Sequence, residues 1–86
     1  MRLKQVRCID INPDPHSSGY RPQEVEPLAA EIREHGVLRP VLLRPTPEGY
    51  VIVHGERRWR AALMAGLDAV PAYLVQEFGQ NDGVAA

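Results

Sequence analysis

The pattern of apolar and polar positions along this chain alternates between a strand-like and a helix-like period. The first apolar run, residues 6–11, is typical of a strand that ends at Asn12-Pro13. Residues 12–22 then contain three prolines, one glycine and two serines, which predicts a long loop. Long ordered loops in small domains are often functional, but a plain connection is equally compatible with this composition, so both interpretations stay open.

A helical pattern follows this loop. Apolar residues recur at intervals of three and four over residues 25–35. Because Pro27 fits only in a first turn, the pattern predicts that the helix begins near residues 25–27. Gly36 can adopt the left-handed conformation that ends a helix.

The remaining pattern predicts a hairpin, a second helix and a last strand. We predict strands over residues 38–44, 50–53 and 70–75, a turn over residues 45–49, and a helix over residues 56–65 closed by Gly66. Pro71 favours an edge position for the last strand. The order β-α-β-β-α-β predicts an α+β domain with helices packed against a small mixed sheet.

Length, charge and cysteine content restrict the classes of function. The 86 residues make one domain, which we assign to residues 1–78, with a flexible tail at 79–86. A formal net charge of −1 excludes a uniformly basic DNA-binding surface but permits a local basic patch. The single Cys8 excludes a disulfide framework. No apolar run reaches the roughly 18 residues of a membrane span, so we expect a cytoplasmic protein without membrane contact.

The chemically distinctive feature is the strand that leads through Gly55 directly into a helix. The first turn of a helix has unpaired N–H groups and a partial positive charge, and therefore binds anions. Gly55 allows close approach because it has no Cβ. Arg57, Arg58 and Arg60 follow, and guanidinium groups match phosphate oxygens with paired hydrogen bonds. The segment predicts a phosphate-binding site.

Helical geometry separates these side chains. Arg57 and Arg60 are three residues apart and are expected to project from one flank, with Arg58 about 100° away. The stripe predicted to face the core contains Trp59, Ala62, Leu63 and Gly66. Purely structural roles are also available, because Glu56 and Arg60 form a favourable i,i+4 pair and Arg58 can cover the sheet edge.

The segment His-Gly-Glu-Arg-Arg-Trp-Arg-Ala-Ala, residues 54–62, resembles the Gly-Glu-Arg-Arg box of ParB-like N-terminal domains. Residues 28–41 resemble that family's helix, glycine and following strand, and residues 49–53 and 65–72 resemble its flanking strands. The resemblance extends over residues 9–76 and implies the fold shared with sulfiredoxin. It also implies binding of CTP, or another nucleoside triphosphate, with Mg²⁺, and a role in chromosome or plasmid partition or in transcription regulation.

The same resemblance assigns roles to individual residues. It implies that Gly55, Arg57 and Arg58 contact the triphosphate and that Glu56 is the acid that supports hydrolysis, through Mg²⁺ or water. Residues 36–40, which include Gly36, Arg39 and Pro40, are expected to line the nucleotide, with Arg39 standing where the family usually has Gln. Arg60 is added as a nucleotide-binding candidate by its helical position beside Arg57 and not by the resemblance.

Three departures from the family pattern affect these expectations. The family's Gln-Pro-Arg element after the first strand is not recognisable, and Arg21 is our candidate to replace its arginine. The downstream box that completes the triphosphate site and the helix-turn-helix that reads DNA are both missing. We therefore expect a stand-alone relative or a fragment, which reaches DNA directly or through a missing domain or partner and is compatible with a homodimer.

Other functions were weighed against nucleotide binding, and CTP hydrolysis itself stays open. The same arginines can hold a DNA backbone phosphate, with Glu56 on a metal ion as in a nuclease, although one carboxylate is thin support. A sulfiredoxin-like reductase needs a nucleophilic Cys at the helix start, where this chain has Glu56. In a pure interaction domain the arginines would pair with a partner's carboxylates.

Overall fold

The computed structural model describes residues 3–37 and 39–75. Its elements are β1 (Leu3–Arg7), a 3₁₀ helix (Cys8–Asp10), β2 (Ile11–Asn12), α1 (Pro22–His35), β3 (Val41–Thr46), β4 (Gly49–His54), α2 (Glu56–Met64) and β5 (Ala69–Leu74). The strands form one mixed sheet in the order β1-β5-β3-β4-β2. The predicted fold class, an α+β domain with helices packed on a small mixed sheet, is confirmed. The predicted tail at residues 79–86 lies outside the described residues.

The first predicted strand is divided into two. β1 pairs with β5 at one edge of the sheet, whereas β2 pairs with β4 at the other edge. The 3₁₀ helix makes the crossing, and its Cys8 N–H donates to the Asp68 carbonyl at 2.8 Å. Ile9 therefore leaves the apolar run and is 77% exposed. An apolar run of six residues cannot reveal that its two ends pair with different strands.

Helix α1 begins earlier than predicted, at Pro22. Pro22 occupies the first helical position, where its missing N–H removes no hydrogen bond and its fixed φ favours the helix. Pro27 is consequently inside the helix, on its exposed side. The placement of Pro27 in the first turn was wrong because a second proline upstream starts the helix instead.

The β3–β4 hairpin turns more tightly than predicted. Pro45 and Thr46 belong to β3, and the turn contains only Pro47 and Glu48. Pro45 is tolerated because β5 pairs only with residues 41–43 of β3. After the turn, Gly49 has φ 134°, and a Cβ there would lie 2.5 Å from the Asp10 carbonyl oxygen, so a glycine is required where β4 begins.

Strand β5 lies inside the sheet, between β1 and β3, and not at the edge that Pro71 suggested. Pro71 is opposite Gln5 of β1 and precedes the first β3–β5 pair, Val41 with Ala72. The missing N–H of Pro71 thus falls before the parallel pairing starts, which explains why an internal strand accepts it.

Two apolar clusters join the helices to the sheet. The main cluster lies between the sheet and α2 and contains Val6, Cys8, Ile11, Val41, Leu43, Ile52, Trp59, Ala62, Val70 and Ala72. The second joins α1 to α2 through Val25, Ala29, Ile32 and Ala61. Helix α2 is therefore buried on two sides, whereas Leu63, predicted to face the core, is 43% exposed. This packing fixes the start of α2 relative to the end of α1.

Candidate functional site

An open cleft of about 690 Å³ lies where the end of β4, the start of α2 and the last two turns of α1 meet. The loop between β2 and α1 forms its outer wall. The residues that line the cleft are Asp14, Ser17, Tyr20, Leu28, Glu31, Ile32, His35, Gly36, Val37, Arg39, Ile52, Val53, His54, Gly55, Glu56, Arg57 and Arg58.

The start of α2 faces this cleft. Gly55 is in the left-handed conformation with φ 97°, and its carbonyl accepts the first helical hydrogen bond, from the Trp59 N–H at 3.1 Å. Within residues 3–37 and 39–75, no side chain caps the first turn. The first-turn N–H groups therefore keep their capacity to bind an anion.

Gly55 also brings α2 close to β3. A Cβ at Gly55 would lie 3.0 Å from both Val41 Cγ1 and Arg58 Nη1. The glycine is thus required by its dihedral angle and by its neighbours. The close contact fixes the first turn of α2 against the sheet.

Arg58 connects the two sides of the cleft. Its Nη1 donates to the Pro40 carbonyl at 2.8 Å, which ties the first turn of α2 to the segment before β3. Burial, and then repulsion by the Arg39 guanidinium, lower the pKa of Arg58. The two like charges therefore repel one another, and an anion bound near both would reduce this repulsion.

Arg39 and Arg57 complete the cationic end of the cleft. Both are exposed, and neither forms an ion pair with another described residue. Acidic groups are present as well, since Asp14 and Glu31 line the cleft. The Asp14 carboxylate accepts from the His16 N–H at 2.8 Å within the loop.

Glu56 is held by its own helix. Its side chain is 10% exposed, and its carboxylate accepts a hydrogen bond from Arg60 Nε at 2.9 Å, the i,i+4 pair that was the structural alternative for these residues. The Arg60 guanidinium also lies over the Trp59 ring, 5.4 Å from its centroid. Arg60 is not part of the cleft lining and borders a neighbouring depression with Arg21 and Tyr20. Arg57 lines the cleft and Arg60 does not, so the cleft lining does not contain both of these arginines.

The structure brings most of the predicted site residues together. Gly36, Arg39, Gly55, Glu56, Arg57 and Arg58 line one cleft, and Pro40 adjoins it through the hydrogen bond from Arg58. Arg21 and Arg60 lie outside this lining. Arg21 pairs instead with Glu24 at 3.2 Å, one turn into α1. The binding roles of all these residues remain predictions.

Sequence reasoning missed the apolar wall of the cleft. Leu28, Ile32 and Ile52 contribute to it beside Val37, which lies in the segment 36–40 that was expected to line the nucleotide, and Tyr20 of the loop also lines the cleft. The helical stripe that contains Leu28 and Ile32 was interpreted only as core. The composition of the loop was the available signal for Tyr20, because a functional role for that loop had been left open.

The positions of the acidic, histidine and cysteine side chains bear on metal and thiol chemistry. In the part of the chain that the structure describes, no three His, Cys, Asp or Glu side chains gather to hold a metal ion. Cys8 is buried in the main cluster and not at the start of α2. Burial, and then the Asp68 carboxylate, raise the pKa of the Cys8 thiol, so it lacks the activated thiolate that a sulfiredoxin-like reaction requires. None of the described helices is both long and apolar enough to cross a membrane.

The sequence of this chain is similar to those of known partition proteins. Residues 2–86 match the family model of the ParB N-terminal domain. The chain is 48% identical over 73 residues to the chromosome-partitioning protein ParB of Caulobacter vibrioides, a match that covers 81% of this chain and 24% of that protein. The chain thus spans about a quarter of the curated relative.

Solved structures give the same relationship. The C-terminally truncated ParB of Caulobacter crescentus, complexed with CTP-gamma-S, superposes with a TM-score of 0.81 and 36% identity over 93% of this chain and 47% of that one. The same protein complexed with its centromeric parS site gives a TM-score of 0.76 with 38% identity, over 90% of this chain and 42% of that one.

Sulfiredoxin from Arabidopsis thaliana shares the fold alone, with a TM-score of 0.75 at 18% identity over 90% of this chain and 88% of that one. The predicted resemblance and fold are therefore confirmed by sequence and by structure. The chain belongs to the ParB N-terminal domain family.

Proposed function

We propose that this domain binds a nucleoside triphosphate, CTP in the first place, with the phosphates at the start of α2. It would act as the nucleotide-binding part of a cytoplasmic DNA-partition or transcription-regulating protein. The observation that carries the proposal is the uncapped first turn of α2, which faces a cleft with the guanidinium groups of Arg39, Arg57 and Arg58. The CTP-gamma-S complex of the Caulobacter relative supports CTP as the first choice.

The two ends of the cleft suit the two ends of a nucleotide. The arginines and the first-turn amides of α2 provide charge-assisted donors for phosphate oxygens. Leu28, Ile32 and Val37 provide apolar surface for the sugar and base. A volume of about 690 Å³ falls within the range typical of small-molecule sites.

A Mg²⁺ ion would depend largely on the nucleotide for its ligands. Glu56 is the carboxylate nearest to the phosphate end, and Mg²⁺ is commonly held by one or two carboxylates together with substrate phosphates. Because Glu56 is paired with Arg60, it must turn away from Arg60 before it can bind the ion or orient a water. Hydrolysis of CTP is included in the proposal with Glu56 as its acid.

DNA contact is the second candidate, and the parS complex of the Caulobacter relative favours it. The same guanidinium groups can bind a backbone phosphate. A nuclease is the weaker form of this alternative, because the carboxylates of the described residues do not gather around a metal position. DNA contact would be made directly by these arginines, or through a further domain or a partner protein.

Titration calorimetry tests the proposal. The wild-type protein is titrated with CTP, ATP, GTP and a parS-free DNA duplex in the presence of Mg²⁺. The variant Arg57→Ala removes one charge-assisted contact and should weaken CTP binding by about 1.5–3 kcal/mol. Arg7→Ala is the matched control, because Arg7 is an exposed arginine outside the cleft that pairs with Asp10.

The outcomes separate the two candidates. CTP binding that is weakened by Arg57→Ala and unaffected by Arg7→Ala supports the nucleotide site. Binding of the duplex with no heat from any nucleotide would transfer the site to DNA. Equal losses in both variants would show that only net charge matters and would refute the cleft as the site.

A further inference from the structure

Arg60 occupies an unusual position for an arginine of the motif. It lies outside the cleft, yet its Nε donates to the Glu56 carboxylate at 2.9 Å while its guanidinium covers the Trp59 ring at 5.4 Å. The side chain of Trp59 is buried and donates from Nε1 to the Cys8 carbonyl at 3.3 Å. Arg60 is therefore held in place by a carboxylate and by a fixed aromatic ring.

Glu56 presents a difficulty for an anion site at this helix. It is the first residue of α2, and a carboxylate near a helix N-terminus is attracted by the same partial positive charge that attracts a phosphate. An untethered Glu56 would compete with the phosphate for the first-turn amides. Its charge would also repel the incoming anion.

We propose that Arg60 is a positioning residue that keeps the Glu56 carboxylate away from the first turn of α2 and neutralises its charge, so that the amides stay available to a phosphate. This inference rests on the proposed function of the cleft. It gives Arg60 a role in affinity without contact with the ligand, in agreement with its absence from the cleft lining.

A double-mutant cycle tests this role. Affinity for CTP is measured by calorimetry in EDTA, without Mg²⁺, so that metal binding by Glu56 does not contribute. The variants are Arg60→Gln, Glu56→Gln and the double variant. Arg33→Gln is the matched control, because Arg33 also pairs with a glutamate, Glu26 at 3.3 Å, but lies outside the cleft. Thermal unfolding monitored by circular dichroism establishes that each variant is folded.

Arg60→Gln should weaken CTP binding about two- to fivefold, the range typical of one charge near a helix N-terminus. The double variant should bind as well as Glu56→Gln, because no carboxylate remains to be held. Arg60→Lys should retain near wild-type affinity, since a lysine at i,i+4 keeps the ion pair. A solely structural role for Arg60 would lower the unfolding temperature without this rescue.

Other results overturn the inference. If Arg60→Gln weakens binding equally with and without Glu56→Gln, Arg60 contacts the ligand directly. If the affinity of Arg60→Gln for CTP is unchanged, the ion pair with Arg60 is not needed to keep the Glu56 carboxylate away from the phosphate. Failure of the wild-type protein to bind CTP when Mg²⁺ is present refutes the proposed function and this inference together. Binding that requires Mg²⁺, or binding in EDTA without rescue, refutes the inference alone.

Discussion

Gly55→Ala tests how tightly the start of α2 is fixed against the sheet. The left-handed conformation at φ 97° costs an alanine about 1–2 kcal/mol of free energy. Its Cβ would also lie 3.0 Å from two atoms, and these respond differently. Arg58 Nη1 is the end of a flexible side chain and can move, at the expense of its hydrogen bond to Pro40. Val41 Cγ1 belongs to a branched side chain that is 1% exposed in β3 and cannot move without repacking the core.

Overpacking of this kind typically adds about 1 kcal/mol or more. We therefore expect Gly55→Ala to lower the free energy of unfolding by about 2–3 kcal/mol, which corresponds to roughly 10 °C or more in Tm for a domain of this size. Urea denaturation followed by Trp59 fluorescence measures this change. Calorimetry of the folded fraction should show weaker CTP binding as well, because displacement of Arg58 disturbs the cationic end of the cleft.

Gly66→Ala is the matched control for the contacts. Gly66 follows α2 with φ 83°, and a Cβ there would meet nothing within 4 Å. Gly66→Ala should lower the free energy of unfolding only by the cost of placing an alanine in the left-handed conformation, about 1–2 kcal/mol. Equal losses of stability at the two glycines would refute the reasoning, because they would show that Val41 and Arg58 do not restrict residue 55.

Two further predictions concern the core. Trp59→Phe removes the hydrogen bond from Trp59 Nε1 to the Cys8 carbonyl, which keeps its second hydrogen bond from the Ile11 N–H, so the free energy of unfolding in urea should fall by about 0.5–1.5 kcal/mol; an unchanged urea midpoint would contradict a stabilising role of the Trp59 hydrogen bond. The raised pKa of Cys8 in the folded state means that its contribution to stability is complete below the ordinary thiol pKa of 9.0 and is lost as the pH rises from there through the folded pKa. Urea midpoints should therefore fall more steeply above pH 9 in the wild-type protein than in Cys8→Ala, and parallel curves would show that burial does not perturb the thiol.

Local sequence signals predicted which helices and strands are present better than they predicted which strands pair with one another. The helical periods of α1 and α2, the hairpin between them and the last strand depend on neighbouring residues, and each is present in the structure. The boundaries that were wrong involve prolines. Pro22, Pro45 and Pro71 each have more than one acceptable position, and the choice depends on which backbone groups need a partner.

The candidate site shows the same division. The strand, glycine and helix around Gly55 were recognisable because the anion-binding capacity of a first turn is a property of consecutive backbone groups. The distribution of the arginines was not recognisable in this way. The i,i+4 spacing had indicated the Glu56–Arg60 pair, but only the packing of α2 on two sides decided that Arg58 reaches the Pro40 carbonyl and that Arg60 is left out of the cleft lining.

By itself, the sequence determined the α+β class, the family, and the presence of a glycine-led helix start followed by arginines. These depend on chain-local geometry and on residue order. Only the tertiary structure decided that β1 and β2 lie at opposite edges of the sheet, that α1 supplies an apolar wall to the cleft, and that Arg58 reaches a carbonyl 18 residues away. Such arrangements are fixed by contacts between residues that are distant in the sequence. These contacts form only when the elements pack, so they produce no periodic pattern along the chain.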